Sequence, residues 1–371
     1  MPSVRRAPRA IVAGLAIALA AAAAEPQAEP PVATAPEPSA PPDLDARARR
    51  AAERGLAWLL AEQRPNGAWL CDAGFKLDET FEVTTTIDVM AELGSGHLGV
   101  TALAGLALLE GRDGAASAAR AAAIERATAF VLSCAREDGS LFDGHSDLHG
   151  NAFAVEFLAR GLLLAPGRED VKAALDAAVE ATIAERSQLG GWDYKAFTFG
   201  SDAIVTGVTL RALHAAARAG VAVEAAVFDG AARHLESLRI VTGRELGGYK
   251  YKPVASYRTR SSPTITALAV ESLVAGRRLS GARLAESLDC IERGYSERNA
   301  SPLYANHFFG TTDALFAARA LRAARDAGRT AFADRIRENV LARQTRFGSW
   351  TDNVGDAFAT AAAVLTLVGR D

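Results

Sequence analysis

The stretch "GLAWLLAEQRPNGAW" runs from Gly55 to Trp69, and "NVLARQTRFGSW" runs from Asn339 to Trp350. Each reads as the end of an amphipathic helix, then a glycine turn, then an aromatic residue two positions past the glycine. The pattern Gln-x-x-x-Gly-x-Trp therefore occurs twice, at Gln63, Gly67 and Trp69 and again at Gln344, Gly348 and Trp350. A motif written near both ends of a chain calls for a search for weaker copies between them. The aromatic or large apolar residue after each turn gives Trp69, Leu141, Trp192, Tyr249, Leu303 and Trp350, at spacings of 72, 51, 57, 54 and 47 residues. Three of the four tryptophans fall on this grid. Leu303 fits it least, because "NASPLY" has no glycine.

Two kinds of helical stretch alternate around these positions. Before each comes an amphipathic stretch, such as "ARRAAERGLAWLLAEQ" or "ADRIRENVLARQ", with apolar residues every three and four positions and charge on the other face. After each comes a stretch that is apolar or small on nearly every side, such as "VTALAGLALL", "TITALAVESLVA" or "ATAAAVLTLV". A helix that is apolar all round has to be buried all round. Six of each kind pack most economically as an inner ring wrapped by an outer ring. The expected fold is all-α, an (α/α)6 toroid of six repeats over residues 43–371. The extra length between Trp69 and His97 is an insertion at the mouth of the ring.

The chain has 371 residues, about half of them apolar, and a formal net charge of −3. With charge nearly balanced and no run of Lys or Arg longer than a pair, no nucleic acid is expected as a partner. Residues 1–24 read as a secretory signal peptide, with Arg5, Arg6 and Arg9 ahead of an apolar run from Ala10 to Ala24. The competing membrane anchor is disfavoured, since that run is short and mostly alanine. Residues 25–42 hold seven of the fourteen prolines and read as an extended, disordered linker. The protein is therefore expected to be exported, periplasmic or extracellular, with no integral membrane span after cleavage. Its three cysteines, Cys71, Cys134 and Cys290, allow one disulfide at most. Buried free thiols are favoured over a Cys71–Cys134 bridge.

The Gln-x-x-x-Gly-x-Trp repeat resembles the QW motif of the prenyltransferase and squalene oxidase repeat superfamily. That group includes terpenoid cyclases and protein prenyltransferase β subunits, all built on α/α toroids. The likeness extends to exported single-toroid bacterial proteins that carry "VTALAGLALL" and "GSW-x-D-x-x-G-x-AFAT". It implies that Gln and Trp fasten an outer helix to the next inner one, while glycine supplies the turn. It also allows a test for cyclase chemistry, whose acid lies in Asp-x-Asp-Asp-Thr-Ala at an inner-helix start. Aligned on Thr101, Asn151, Thr206, Thr266, Asp313 and Thr360, the donor position holds Gly99, His149, Ile204, Thr264, Thr311 and Phe358. None is an acid. Four residues before the aligned position stand His97, Asp147, Asp202, Ser262, Phe309 and Asp356, and these read first as helix N-caps, Ser262 ahead of Pro263 being a strong example. No cluster suited to holding an aspartic acid protonated is evident, and aromatics are few. The zinc set of the prenyltransferases is also missing, because Asp289-Cys290 lacks the spacer.

Candidate site residues remain at the expected mouth. His97, His145, His149 and His307 lie at inner-helix starts, as do Asp147, Asp202, Asp313 and Asp356. Trp192/Tyr194 and Tyr249/Tyr251 form two aromatic pairs. The ligand-binding candidates are His97, His149, Asp202, Trp192, Tyr194, Tyr249, Tyr251 and His307; the catalytic candidates are His149, Asp202 and Asp356. No cofactor is implied, and the histidines do not converge as a metal set. A polar, aromatic-rimmed mouth over an apolar lumen suits an elongated lipid, isoprenoid or peptide ligand. Three functions stay open: a binding or scaffold module, whose cavity would lack convergent ionisable groups; a diverged terpenoid cyclase or prenyltransferase; and a polysaccharide hydrolase or lyase. The last needs paired carboxylates, for which Asp202 and Asp356 are the nearest.

Overall fold

The computed structural model describes residues 43–71, 96–111, 117–143, 148–194, 200–253, 261–300, 310–352 and 354–369. The signal segment, the linker, most of the Trp69–His97 insertion, and His145, Asp147, Leu303 and His307 lie outside the described residues, as does the His149 side chain. Pro42–Asp371 form one compact unit. Twelve α-helices are described: α1 Leu44–Glu62, α2 Leu98–Glu110, α3 Ser117–Ser133, α4 Leu148–Leu164, α5 Glu169–Ala184, α6 Ala203–Arg218, α7 Ala225–Ser237, α8 Pro263–Ala275, α9 Gly281–Ala300, α10 Gly310–Ala324, α11 Thr330–Leu341 and α12 Asp356–Val368.

Burial separates the two kinds of helix as the sequence pattern predicts. Every residue of α2 from Leu98 to Leu109 is buried, whereas α1 buries only Ala48, Ala51, Ala52, Gly55, Leu56 and Leu59. The even-numbered helices form the inner ring. Packing runs α2–α4–α6–α8–α10–α12 and returns from α12 to α2, so the ring is closed. Outer helix α1 packs on α12 and α11. Short up-down connections make all inner helices point the same way, so their N-terminal ends share one mouth.

The Gln-x-x-x-Gly-x-Trp pattern acts as a three-way fastener. The Trp69 indole donates to the Leu59 carbonyl on its own outer helix at 2.9 Å, and the Trp69 backbone N–H donates to Thr101 Oγ1 on the following inner helix at 3.0 Å. Trp350 repeats both bonds with Val340 and Thr360, and Trp192 with Thr182 and Thr206. The Gln63 amide reaches the Ala123 carbonyl on the next outer helix at 2.8 Å, while Gln344 reaches Ala51 at 2.8 Å and so joins the last repeat to the first. Glutamine therefore links outer helix to outer helix; the expected outer-to-inner fastening comes from tryptophan alone. The turn glycine is required twice over. Gly67 has φ +90°, and a Cβ there would lie 2.1 Å from the Arg126 carbonyl oxygen; Gly348, at φ +94°, faces Arg54 in the same way.

The inner ring departs from the expected apolar lumen. Glu156 on α4 accepts from Arg211 Nε on α6 at 2.9 Å, and Arg211 also pairs with Glu271 on α8. Arg319 on α10 lies 3.8 Å from Glu156, although α10 and α4 are not neighbours in the ring. That contact crosses the central hole. Burial pushes the Glu156 carboxyl up, but Arg211 and Arg319 outweigh it and hold it at about 2. Burial, with the charge of Arg211, brings Arg319 down to about 9.

Candidate functional site

The inner-helix residues aligned with the cyclase threonine serve the backbone. Thr101, Thr206, Thr266 and Thr360 each accept the N–H of a grid residue, and Asn151 does so for Leu141. Asp313 instead accepts from Thr264 and from Arg298. Three of the expected caps are present. His97 Nδ1 accepts from the Gly99 and Val100 amides, Asp202 from Val205, and Ser262 from Ile265. Asp356 does not cap: it is the first residue of α12, behind Gly355, which has no side chain to offer.

Asp202 does more than cap. Its side chain is fully buried and Oδ1 accepts from Val205 at 2.9 Å, but Oδ2 has no donor. A second carboxyl, Asp193, is close enough to favour the protonated form of Asp202. Asp193 is bound by Lys252 Nζ at 2.8 and 2.9 Å and by the Tyr194 amide at 2.8 Å. Burial raises the Asp202 pKa to about 7, and Asp193 adds to the shift. Burial also disfavours ionisation of Asp193, yet Lys252 and the Tyr194 amide outweigh it and hold that carboxyl below its ordinary value. Burial likewise raises the Tyr251 phenol, helped by Tyr194 and Asp202 nearby. Two backbone bonds bring these residues together: the Asp202 N–H donates to the Trp192 carbonyl at 2.9 Å, and the Ala203 N–H to the Tyr251 carbonyl at 3.0 Å. The N-terminus of α6 thus gathers the strands of chain that follow two successive grid positions.

These findings correct the expectation that no cluster suited to a protonated aspartic acid exists, and they run against the mark set for a binding module, a cavity without convergent ionisable groups. The partner of Asp202 is Asp193 and not Asp356. A second raised carboxyl, Asp352, stands near Asp356; burial lifts it to about 6 despite bonds from Thr311 and the Val354 amide. Tyr194 and Tyr251 lie at the cluster, half-buried. Trp192 and Tyr249 are fully buried at grid positions, which places them in the wall of the ring. Asp193 and Lys252 escaped sequence reasoning because an isolated pair on two loops has no period. Glu156, Arg211 and Glu271 did leave a signal: each stands five residues after the aligned position of its own inner helix.

Among the described residues no three His, Cys, Asp or Glu side chains stand together as a metal set. Cys71, Cys134 and Cys290 are buried, Cys71 Sγ donates to the Val354 carbonyl at 3.3 Å, and burial pushes the Cys134 thiol up to about 11. No described helix is long and apolar enough to cross a membrane.

No family profile and no curated protein matches the chain. Solved structures do. The type II terpene cyclase MstE from Scytonema is 17% identical with a TM-score of 0.56, over 88% of this chain and 98% of that one. An α-amylase from Clostridium perfringens is 9% identical with a TM-score of 0.58, over 86% and 97%. An inactive variant of an α-1,6-mannanase from Salegentibacter, in complex with α-1,6-mannotriose, is 12% identical with a TM-score of 0.56, over 88% and 99%. At such identities the likeness speaks for architecture alone. By its fold, the chain is a terpenoid cyclase-like α/α toroid.

Proposed function

We propose that this chain is an exported binding module that takes the polar end of an elongated amphiphile, a lipid or isoprenoid, at the mouth of its ring. The observation that carries the reading is the Asp202–Asp193–Lys252 cluster flanked by Tyr194 and Tyr251. Lys252 and Asp193 offer one donor and one acceptor to a polar head group, and the tyrosines offer aromatic faces beside them. Asp202 keeps a proton in the cluster, so Asp193 stays oriented toward Lys252. Cyclase relatives by fold include one crystallised with geranylgeranyl dihydroxybenzoate, a substrate that joins a polar ring to an isoprenoid chain. Carbocation cyclisation is disfavoured here. It needs an apolar, aromatic-lined cavity, whereas Glu156, Arg211, Glu271 and Arg319 occupy the ring.

A second reading rests on the split between the two carboxyls. One held neutral and one held ionised is the arrangement that acid–base chemistry uses, on a glycosidic bond for instance. Gentle purification followed by mass spectrometry of co-extracted small molecules separates the two. The binding reading predicts a stoichiometric amphiphile that is lost in Lys252→Met and in Asp193→Asn. An empty protein that instead cleaves α-linked polysaccharide, and stops doing so in Asp202→Asn, would replace it with the second.

A further inference from the structure

Two grooves recur in equivalent places on successive repeats. The first, about 810 Å³, lies between the turn after α5 and helix α7, with Arg186 and Leu189 on one side and Arg233 and His234 on the other. The second, about 590 Å³, lies between the turn after α7 and helix α9, with Arg244 and Glu245 on one side and Cys290, Arg293, Glu297 and Arg298 on the other; there Arg244 pairs with Glu297 at 2.8 Å and Arg298 with Asp313 at 2.7 Å. Gly190 packs on the Gly230 carbonyl and Gly247 on that of Glu286, so His234 and Cys290 are equivalent. Each is met by the hydroxyl just before an inner-helix cap: Ser201 Oγ is 3.0 Å from His234 Nε2, and Ser261 Oγ is 3.8 Å from Cys290 Sγ. In the first groove Ser187 Oγ is buried without a partner. Arg233 and Arg293 are exposed and make no ion pair among the described residues.

Apolar side chains rim the same face. Leu189, Leu246 and Phe347 each stand immediately before a turn glycine and are 48%, 37% and 68% exposed. Val241, in the same turn as Leu246, is 67% exposed. All these turns join outer-helix ends to inner-helix starts, so they lie on the mouth face. Asn66 and Asp138 hold the equivalent positions in the first two repeats. The apolar positions therefore form an arc over the third, fourth and sixth repeats, each with an arginine in its turn: Arg186, Arg244 and Arg346.

We infer that this arc is a peripheral docking surface for an anionic phospholipid bilayer, in which Leu189, Leu246 and Phe347 enter the interfacial layer and the groove arginines receive phosphate head groups. Apolar tips beside cations suit the boundary where acyl chains meet anionic phosphates. In the first groove Arg186 and Arg233 stand on opposite walls and match phosphate oxygens in the way a single surface arginine does not, while in the second Arg293 is the guanidinium outside the Arg244–Glu297 and Arg298–Asp313 pairs. The inference is independent of the ligand cluster, since no groove arginine contacts Asp193, Lys252 or Asp202.

The test uses the full purified chain with vesicles of phosphatidylglycerol and phosphatidylcholine in equal parts, and of phosphatidylcholine alone. Flotation is expected with the first, to fall with added salt, and to be weak with the second. Arg233→Gln together with Arg293→Gln should lower the partition by about fivefold per arginine removed. Phe347→Trp places a reporter on the rim, and its emission should be quenched by brominated lipid beyond the quenching of the unaltered chain. That readout is blind to whatever the N-terminal segment does. No excess quenching at position 347, or binding indifferent to the double arginine change, overturns the proposal. A dimer that Phe347→Ser dissociates, without lipid quenching, overturns it in favour of a second copy as the occupant.

Discussion

Single residues carry the joints of this molecule, and their chemistry sets testable costs. At Gly67 any side chain meets both a left-handed backbone and the Arg126 carbonyl. Gly67→Ala should therefore cost about 2 kcal/mol or more, read as a lowered urea midpoint with an unchanged slope. Thr206→Val removes the acceptor for a fully buried Trp192 N–H and should cost about 1–3 kcal/mol. Asp202 acts through pH. Its carboxyl titrates near 3.8 when unfolded and near 7 when folded, so the folded state holds the extra proton between those values. Its contribution to stability is present below 3.8, declines as pH rises through that window, and is gone above about 7. The loss amounts to at most about 1.4 kcal/mol per pH unit. Asp202→Asn should flatten the fall of thermal midpoint across the window, and an unchanged pH profile in that variant would contradict the raised Asp202 pKa.

Inner helices combine two demands that composition alone does not separate. They have to be apolar toward their outer partners, yet α4, α6, α8 and α10 carry Glu156, Arg211, Glu271 and Arg319 across the hole. Removing one member strands the others. Glu156→Ala should cost about 3–5 kcal/mol by leaving Arg319 buried and uncompensated and Arg211 with Glu271 alone, measured by urea unfolding. Replacing Glu156, Arg211, Glu271 and Arg319 together by apolar residues should cost less than that single change, since no charge is then left unpaired. The element pattern was legible in the sequence because periodicity reports which faces are buried: α2 is apolar all round and α1 on one stripe. The caps at His97, Asp202 and Ser262 were legible too, since a helix start needs a side-chain acceptor. The site was not. Asp193 and Lys252 are brought together by two loops 59 residues apart, a pairing that no local rule encodes. Asp356 failed as a cap because Gly355 begins the turn one residue earlier than alignment implied.

The unit Pro42–Asp371 is a ring whose last repeat is bolted to its first. Gln344 donates to Ala51, Trp350 sits in the final turn as Trp69 does in the first, and Arg47 pairs with Glu338 at 2.7 Å. The Arg47–Glu338 pair is 38% and 44% exposed and adds about 1 kcal/mol at most. Closure rests instead on α12 packing against both α1 and α2. An open stack of helical repeats frays from its ends, because terminal repeats have one neighbour each. A closed ring has no ends. Native-state hydrogen exchange distinguishes the two. Closure predicts that the slowest amides of α2 and α12 open with the same free energy, and the same dependence on denaturant, as those of α6 and α8. Exchange of α2 or α12 through smaller openings, well before the middle of the chain, would contradict the ring.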